Sequence, residues 1–262
     1  MVSSLSYAPW TFGNLYRTYS THSYVLETIA AKEQKKTAKV NDKRRTHTPL
    51  TISMPEQSKH ILAKLLSALF HPLMMPVYLS LVLLFSKFAP SINPRLKWQI
   101  LGIVAYSFVL LPVGILFFLK KFGKISSLHL EKQKERFLPM LLIAISYIVG
   151  IFLLHIHGAP NTLILLMRGV LLAILMVALI SMVWKISAHT TALGGALGVI
   201  LLLSVIYRTD LSAWAACISL LAGSIAWSRL YLKHHTIKQV NYGFMIGFSA
   251  MIISFLLHIN TL

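Results

Sequence analysis

The fold class is decided by the stretch 137–184, where two apolar runs follow one another almost without interruption. Residues 137–156 read FLPMLLIAISYIVGIFLLHI, and residues 162–184 read TLILLMRGVLLAILMVALISMVW. A helix needs about 20 apolar residues to cross the roughly 30 Å hydrocarbon layer of a bilayer, and both runs reach that length. Arg168 is the only residue in the two runs that carries a full charge. The stretch therefore predicts a pair of membrane-spanning helices.

Outward from this pair the chain holds further apolar runs, at about 61–86, 98–119, 189–206, 211–227 and 240–258. Only 12% of the 262 residues are charged, whereas an ordinary soluble domain carries about 25%. His71, Pro72 and Pro76 interrupt the first run, so it is either a Pro-kinked crossing or partly interfacial. We predict an all-α, polytopic bundle of six or seven transmembrane helices, and an integral, multi-pass protein of the cell (inner) membrane.

The N-terminal residues differ in character from the rest of the chain. They include Lys35-Lys36 and Lys43-Arg44-Arg45 and show no apolar periodicity, which is typical of a disordered segment. We therefore predict a polar, disordered N-terminal segment at 1–60 and a transmembrane domain at 61–262. Met54 precedes a stretch that looks like a natural start for a membrane protein, so residues 1–53 either belong to the natural product or are an upstream extension.

The charge balance indicates the kind of partner. The formal net charge is +18, which suits either nucleic acid or anionic lipid. Many of the basic residues lie between or at the ends of the apolar runs, where they would meet lipid phosphates. We expect membrane lipids as partners and no nucleic acid; the sequence leaves the oligomeric state open. The lone Cys217 excludes both a disulfide and a cysteine-based metal site.

Successive crossings alternate in direction, so the connections at about 120–136, 185–188 and 228–239 are predicted to share one face of the membrane. The opposite connections, near 87–97, 157–161 and 207–210, hold fewer ionisable groups. Any chemistry is expected on the first face.

Two of these connections supply cations and a helix start. Lys132, Lys134 and Arg136 come just before one span, and Ser187 is placed to cap the next span, beside His189. The free N–H groups of a helix start, with a capping hydroxyl, can bind an anion. Taken alone, each feature is more simply a basic helix end at the lipid headgroups.

The third connection brings a further cation and histidine to the same face. Arg229 ends one span and His235 opens the next. Gln239 lies four residues on, where its side chain can hold the imidazole through a hydrogen bond. Guanidinium groups, a hydroxyl, helix N–H groups and two imidazoles are together the parts that phosphoryl transfer needs.

The third connection resembles the third motif of the type-2 phosphatidic acid phosphatase superfamily. The matching pattern is Ser228-Arg229, five residues, His235, three residues and position 239. Ser187-Ala188-His189 resembles the second motif, normally Ser-Gly-His. Lys132 to Pro139 resembles the first, normally a Lys, six residues and Arg-Pro. The similarity covers roughly residues 120–250.

This resemblance implies a membrane phosphatase that needs neither metal nor other cofactor. His235 would attack phosphorus and form a phosphohistidine, His189 would protonate the departing oxygen, and position 239 would orient His235. The phosphate oxygens would be held by Arg136, Arg229, Ser187 and by Lys132 or Lys134. Because the site lies at headgroup level, the expected substrate is a lipid phosphate or a polyprenyl pyrophosphate.

The sequence departs from the family pattern at several positions. Gln239 stands where the family has an acidic residue, Ala188 replaces Gly, and two residues separate Arg136 from Pro139. His129 stands where the first motif has its Lys, and the hairpin 137–184 separates the first two motifs. These departures leave open a non-catalytic phospholipid-binding relative.

Other classes fit less well. A small transporter would carry ionisable groups near span centres, whereas here they sit at span ends. A Mg²⁺-dependent prenyltransferase needs clustered carboxylates, and the acidic residues after position 60 do not cluster. The side of the membrane that the site faces stays open: the basic loops favour the cytoplasm, and the family resemblance favours the extracytoplasmic face.

Overall fold

The computed structural model describes residues 27–39, 55–130 and 132–259, and it forms two compact units, Met1–Met54 and Pro55–Leu262. In the first unit the described residues form one exposed helix, α1, at 27–39. This helix lies within the segment predicted to be disordered; Ala, Lys, Glu and Gln are strong helix formers even without an apolar face. The predictions for residues 1–26 and 40–54 lie outside the described residues.

The second unit contains seven helical segments long and apolar enough to span a membrane. The prediction of an all-α, multi-pass bundle is confirmed, and the described ranges of the chain contain no strand. The helices are α2 (Glu56–Leu69) with α3 (Met75–Phe85), α4 (Pro94–Ala105) with α5 (Leu111–Lys121), α6 (Phe137–Ile156), α7 (Asn161–Ser181), α8 (Ala188–Ile206), α9 (Ser212–Tyr231) and α10 (Ile237–Ile259).

The surface of this bundle is apolar. Phe117, Phe152, Val183, Val205 and Leu220 are each more than 60% exposed. Exposed apolar surface on this scale would be unfavourable in water, whereas lipid tails are as apolar as these side chains. The exposure pattern is that of a bundle surrounded by lipid.

The first span is broken where the sequence predicted an interruption. Helix α2 ends at Leu69, a 3₁₀ turn occupies Pro72–Met74, and α3 begins at Met75. Pro72 has no N–H, and it disfavours helical backbone in the residue before it. Together the two helices form one span, Glu56–Phe85. It starts before position 61, so residues 56–60 are also helical.

Helices α8 and α10 approach each other through glycines. A methyl group at Gly194 would overlap the carbonyl oxygen of Phe244, and one at Gly247 would overlap the carbonyl of Thr191. Because glycine has no side chain, such small residues let the backbones of two transmembrane helices come into close contact. The contact matters for the site, because these helices carry its second and third motifs.

The alternating directions of the seven candidate spans place residues 122–130 with 132–136, 182–187 and 232–236 on one face, as predicted. Side-chain contacts also join these connections to one another and to α10. Arg136 donates to the carbonyl oxygen of Ile186 at 2.7 Å, and the ring centroids of Trp184 and Tyr242 are 5.4 Å apart. The start of α2 lies on this face too, since the hydroxyl of Tyr231 contacts Glu56 at 2.8 Å.

Candidate active site

A cavity of about 720 Å³ opens at this face and gathers residues from all three predicted motifs. Its polar part is lined by four cationic side chains and five histidines, namely Lys64, Arg136, Lys185, Arg229, His71, His129, His189, His234 and His235. The predicted convergence of the three connections is therefore present in the structure.

Arg136 is 5% exposed and is held by two carbonyl oxygens. Its Nε donates to Leu130 at 2.8 Å and its Nη1 donates to Ile186 at 2.7 Å. A guanidinium has five N–H donors, so most of them remain for a ligand in the cavity. Arg136 thus joins the loop before α6 to the connection before α8 while presenting a positive charge to the site.

Ser187 is fully buried and caps α8, as predicted from the sequence. Its hydroxyl accepts from the backbone N–H of Thr190 at 3.5 Å, and its own backbone N–H donates to the carbonyl oxygen of Gln239 at 3.4 Å. Ser187 therefore links the starts of α8 and α10. Ala188 also lines the cavity.

His189, in the first turn of α8, is held by the first span. Its Nε2 lies 3.1 Å from the carbonyl oxygen of Ser67. A carbonyl can only accept, so Nε2 carries a proton in this state. Ser67 also accepts from Nη1 of Arg229 at 3.3 Å, and its hydroxyl lies 2.8 Å from that of Ser228. The end of α2 thus orients both His189 and Arg229.

His235 and Gln239 form the predicted hydrogen bond, 3.1 Å between Nδ1 and Oε1. The same amide oxygen accepts from the backbone N–H of Thr236 at 3.2 Å, while the Gln239 N–H donates to the Thr236 hydroxyl at 3.4 Å. This reciprocal pair is a capping box at the start of α10.

The capping box determines which nitrogen of His235 carries the proton. Because the Thr236 N–H must donate, the amide atom of Gln239 that faces it is the oxygen. His235 Nδ1 must then donate to that oxygen, which leaves the lone pair on Nε2. His235 is therefore held in the tautomer that a nucleophile attacking through Nε2 requires.

The surroundings of His235 also keep it neutral. Burial, and after it the positive charge of Arg229, lower the pKa of His235 to about 3, and the hydrogen bond to Gln239 only partly opposes this shift. Arg136 and Lys185 act in the same direction as Arg229. At neutral pH the imidazole is an unprotonated base inside a cationic site.

The structure places the predicted lysines away from the cavity. Lys134 is exposed, and Lys132 pairs with Glu135 at 3.3 Å with 67% of its side chain exposed. The lysines that line the cavity are Lys64 and Lys185 instead. Lys185 lies two residues before Ser187 of the second motif, and this position in the sequence could have identified it as a residue of the site.

The deeper part of the cavity is apolar. Its lining comes from α5, α6 and α7, namely Leu116, Met140, Ile143, Tyr147, Val170, Ala173, Ile174 and Val177. Tyr147 lies ten residues into α6, about 15 Å along the helix at a rise of ~1.5 Å per residue. The cavity therefore extends about 15 Å along α6 from the face that carries the three connections.

A metal would need a cluster of ligands. Within the described ranges, no three His, Cys, Asp or Glu side chains lie close enough together to hold one. The donors at the cavity are cations and imidazoles, which suit an anion better than a cation.

The comparison with protein families agrees with this geometry. Residues 180–261 match the family model described as the PAP2 superfamily. The resemblance predicted from the motifs is thereby confirmed over the second and third motifs, and it indicates a phosphatase-type function in a multi-pass membrane protein. Residues before 180, Arg136 among them, lie outside the matched range. Searches of curated proteins and of solved structures found no match.

Proposed function

We propose that the protein hydrolyses a lipid phosphate or polyprenyl pyrophosphate through a phosphohistidine at His235, without a metal ion. The observation that carries the proposal is the shape of the cavity. Its cationic mouth suits a phosphate at headgroup level, and its apolar depth suits a hydrocarbon chain. Arg229 and Arg136 at the mouth supply bidentate donors for phosphate oxygens.

The first chemical step uses the tautomer of His235 fixed by Gln239. The Nε2 lone pair forms a bond to phosphorus, the bond from phosphorus to the leaving oxygen breaks, and Nδ1 retains its proton. The imidazolium of His189, favoured by the negative charge of bound phosphate, gives a proton to the leaving oxygen. Two steps through a covalent intermediate then replace one difficult displacement.

The second step returns the enzyme to its starting state. Neutral His189 takes a proton from a water molecule, the water oxygen bonds to phosphorus, and the bond from phosphorus to His235 Nε2 breaks. Inorganic phosphate leaves. Arg136, Arg229 and the free N–H groups at the start of α8 balance the charge on the phosphoryl oxygens in both steps.

Phosphate release from lipid substrates tests the proposal. Purified protein with EDTA is expected to release phosphate from phosphatidic acid or a polyprenyl pyrophosphate, and His235→Ala to abolish the release. His157→Ala is a matched control, because His157 lies in the turn on the opposite face and is exposed. ³²P-labelled substrate should label the wild type with an acid-labile bond that His235→Ala lacks.

Two results would contradict the proposal. Absence of release from every lipid phosphate, with binding of those lipids retained, would identify a non-catalytic phospholipid-binding relative, the alternative that Gln239 favours. Loss of activity on chelation, with recovery on adding a divalent ion, would refute the metal-independent mechanism.

We also propose that the protein lies in the cell (inner) membrane with its site on the extracytoplasmic face, as the family resemblance implies. Labelling of intact cells tests this. Cys217 is first replaced by Ser, and Lys124, exposed in the loop before α6, becomes Cys. A membrane-impermeant maleimide should label this cysteine from outside; labelling only after lysis would place the site in the cytoplasm.

A further inference from the structure

His71 stands at the break in the first span, and its backbone position follows from Pro72. Its φ of −65° and ψ of 136° are extended, the conformation that a following proline favours. Its side chain caps the 3₁₀ turn, because Nδ1 accepts from the backbone N–H of Leu73 at 3.3 Å. One function of His71 is therefore local: it ends the break and starts the turn.

The same local structure occurs elsewhere in the chain with a different residue. In Asn93-Pro94-Arg95, the Asn93 side-chain oxygen accepts from the backbone N–H of Arg95 at 2.8 Å, with φ −55° and ψ 133° at Asn93. Asn is among the residues preferred at such caps. A histidine is therefore not needed for capping before this proline, and its presence at position 71 calls for another reason.

The location of the ring supplies that reason. His71 lines the cavity, and its ring meets that of His189 edge to face, with centroids 5.5 Å apart and an interplanar angle of 81°. Because Nδ1 accepts a hydrogen bond, the proton of the neutral ring is on Nε2. His71 therefore offers one neutral N–H donor at the phosphate end of the cavity.

A neutral donor suits this position. The cavity mouth already holds Arg136, Arg229 and Lys185, and another cation beside His189 would disfavour the imidazolium that His189 must form. An N–H without charge adds a contact to the ligand and avoids that effect.

We propose that His71 is a substrate-binding residue whose Nε2–H donates to an oxygen of the bound phosphate group. This inference rests on the proposed function for its substrate. It adds the first span to a site that the three motifs place only in the later part of the chain.

His71→Asn separates the two functions of the residue, because Asn keeps the cap, as Asn93 does, and removes the imidazole. We expect the variant to keep the thermal stability of the wild type. Its kcat/KM should fall about 10- to 100-fold, the range for losing one hydrogen bond to a charged group, and inhibition by inorganic phosphate should weaken similarly. Asn93→Ala is the matched control: it removes a cap on the opposite face and should affect stability only.

The outcomes are decisive. If His71→Asn matches the wild type in kcat/KM and in phosphate inhibition, the inference is wrong. If His71→Asn is destabilised as strongly as His71→Ala, the capping premise fails and the inference with it.

If the wild type hydrolyses no lipid phosphate, the proposed function fails by itself. Binding of inorganic phosphate to wild type and His71→Asn, measured calorimetrically, then still tests His71: equal affinities would refute it and weaker binding by the variant would support it.

Discussion

Gln239→Glu changes the charge of the residue that orients His235 and very little else. Glu has the same length and shape as Gln, so it can accept from His235 Nδ1, 3.1 Å away, and from the Thr236 N–H, 3.2 Å away. Glu also preserves the capping box. The substitution therefore isolates the effect of the missing negative charge from the effect of orientation.

The magnitude follows from what Gln239 already supplies. Replacing a triad Asp by Asn costs about 10⁴-fold in kcat, because the amide leaves the histidine in the wrong tautomer. Here the Thr236 N–H fixes the amide oxygen toward His235, so the tautomer is correct. What remains is the difference between a neutral and a charge-assisted hydrogen bond to the imidazolium, about 1–2 kcal/mol. We expect kcat to rise about 5- to 30-fold.

The nucleophile should stay unprotonated in this variant. The pKa of His235 is lowered to about 3 by burial and by Arg229, and a nearby carboxylate raises a histidine pKa by about 1–3 units. Even the upper end of that range lies below pH 7.5. In the proposed mechanism neutral His235 is the active form, so activity should be lost as pH falls through its pKa. The acidic limb of kcat/KM should therefore move to higher pH in the variant.

The assay is steady-state phosphate release from a polyprenyl pyrophosphate in detergent, from pH 4 to 9, for wild type, Gln239→Glu and Gln239→Leu. Gln239→Leu removes the acceptor and should lower kcat by at least 10-fold. Gln239→Asp, the kind of residue that the family pattern has, should also raise activity, but less, because its shorter side chain must serve both donors. A fall in kcat for Gln239→Glu with unchanged stability would refute the tautomer argument.

Three other substitutions test separate parts of the structure. Arg136→Lys should lower phosphatase activity at least 10-fold and destabilise the fold by about 1–3 kcal/mol, measured by thermal unfolding. Lysine lacks the planar fork through which Arg136 reaches both buried carbonyl oxygens. Unchanged stability would contradict this anchoring role. Ala173→Phe should raise KM for long-chain substrates at least 10-fold, because the phenyl ring would fill the apolar part of the cavity. KM for short-chain analogues should change little. An equal rise in KM for both kinds of substrate would contradict a chain-binding cavity. Gly247→Ala should lower the stability by about 1–3 kcal/mol, measured by thermal unfolding, and reduce activity. The added methyl group would overlap the carbonyl of Thr191 and push α8 away from α10. A stability equal to that of the wild type would contradict that contact.

Much of the fold followed from run length alone. Crossing a bilayer requires a minimum number of apolar residues, and alternation of direction then fixed which connections share a face. The local parts of the site were predictable for a similar reason. Ser187 as a cap and His235 with Gln239 are contacts within four residues, which helix geometry determines.

The remaining parts of the site depend on contacts distant in sequence. Ser67 meets His189 and Arg229 across more than 120 residues, and no local pattern indicates which helix packs against α9. The sequence also did not indicate that Lys132 pairs with Glu135 in the loop, where it does not line the cavity. The helix at 27–39 was missed because exposed helices carry no apolar stripe, and stripe spacing is the main sequence signal for a helix.

The absence of a carboxylate at position 239 links binding and turnover in one argument. In the proposed mechanism Arg136, Arg229 and Lys185 attract phosphate, and burial together with these charges lowers the pKa of His235 and keeps it unprotonated. In the family pattern an acidic residue balances part of this field when the imidazole becomes positive. With Gln239 that balance is missing, so dianionic phosphate should bind tightly while the step that makes His235 cationic is slow. The wild type should therefore show a low KM, strong inhibition by phosphate and a low kcat. Gln239→Glu should raise KM, the inhibition constant for phosphate and kcat. A variant that raised kcat without weakening phosphate inhibition would show that the charge acts on the transition state alone.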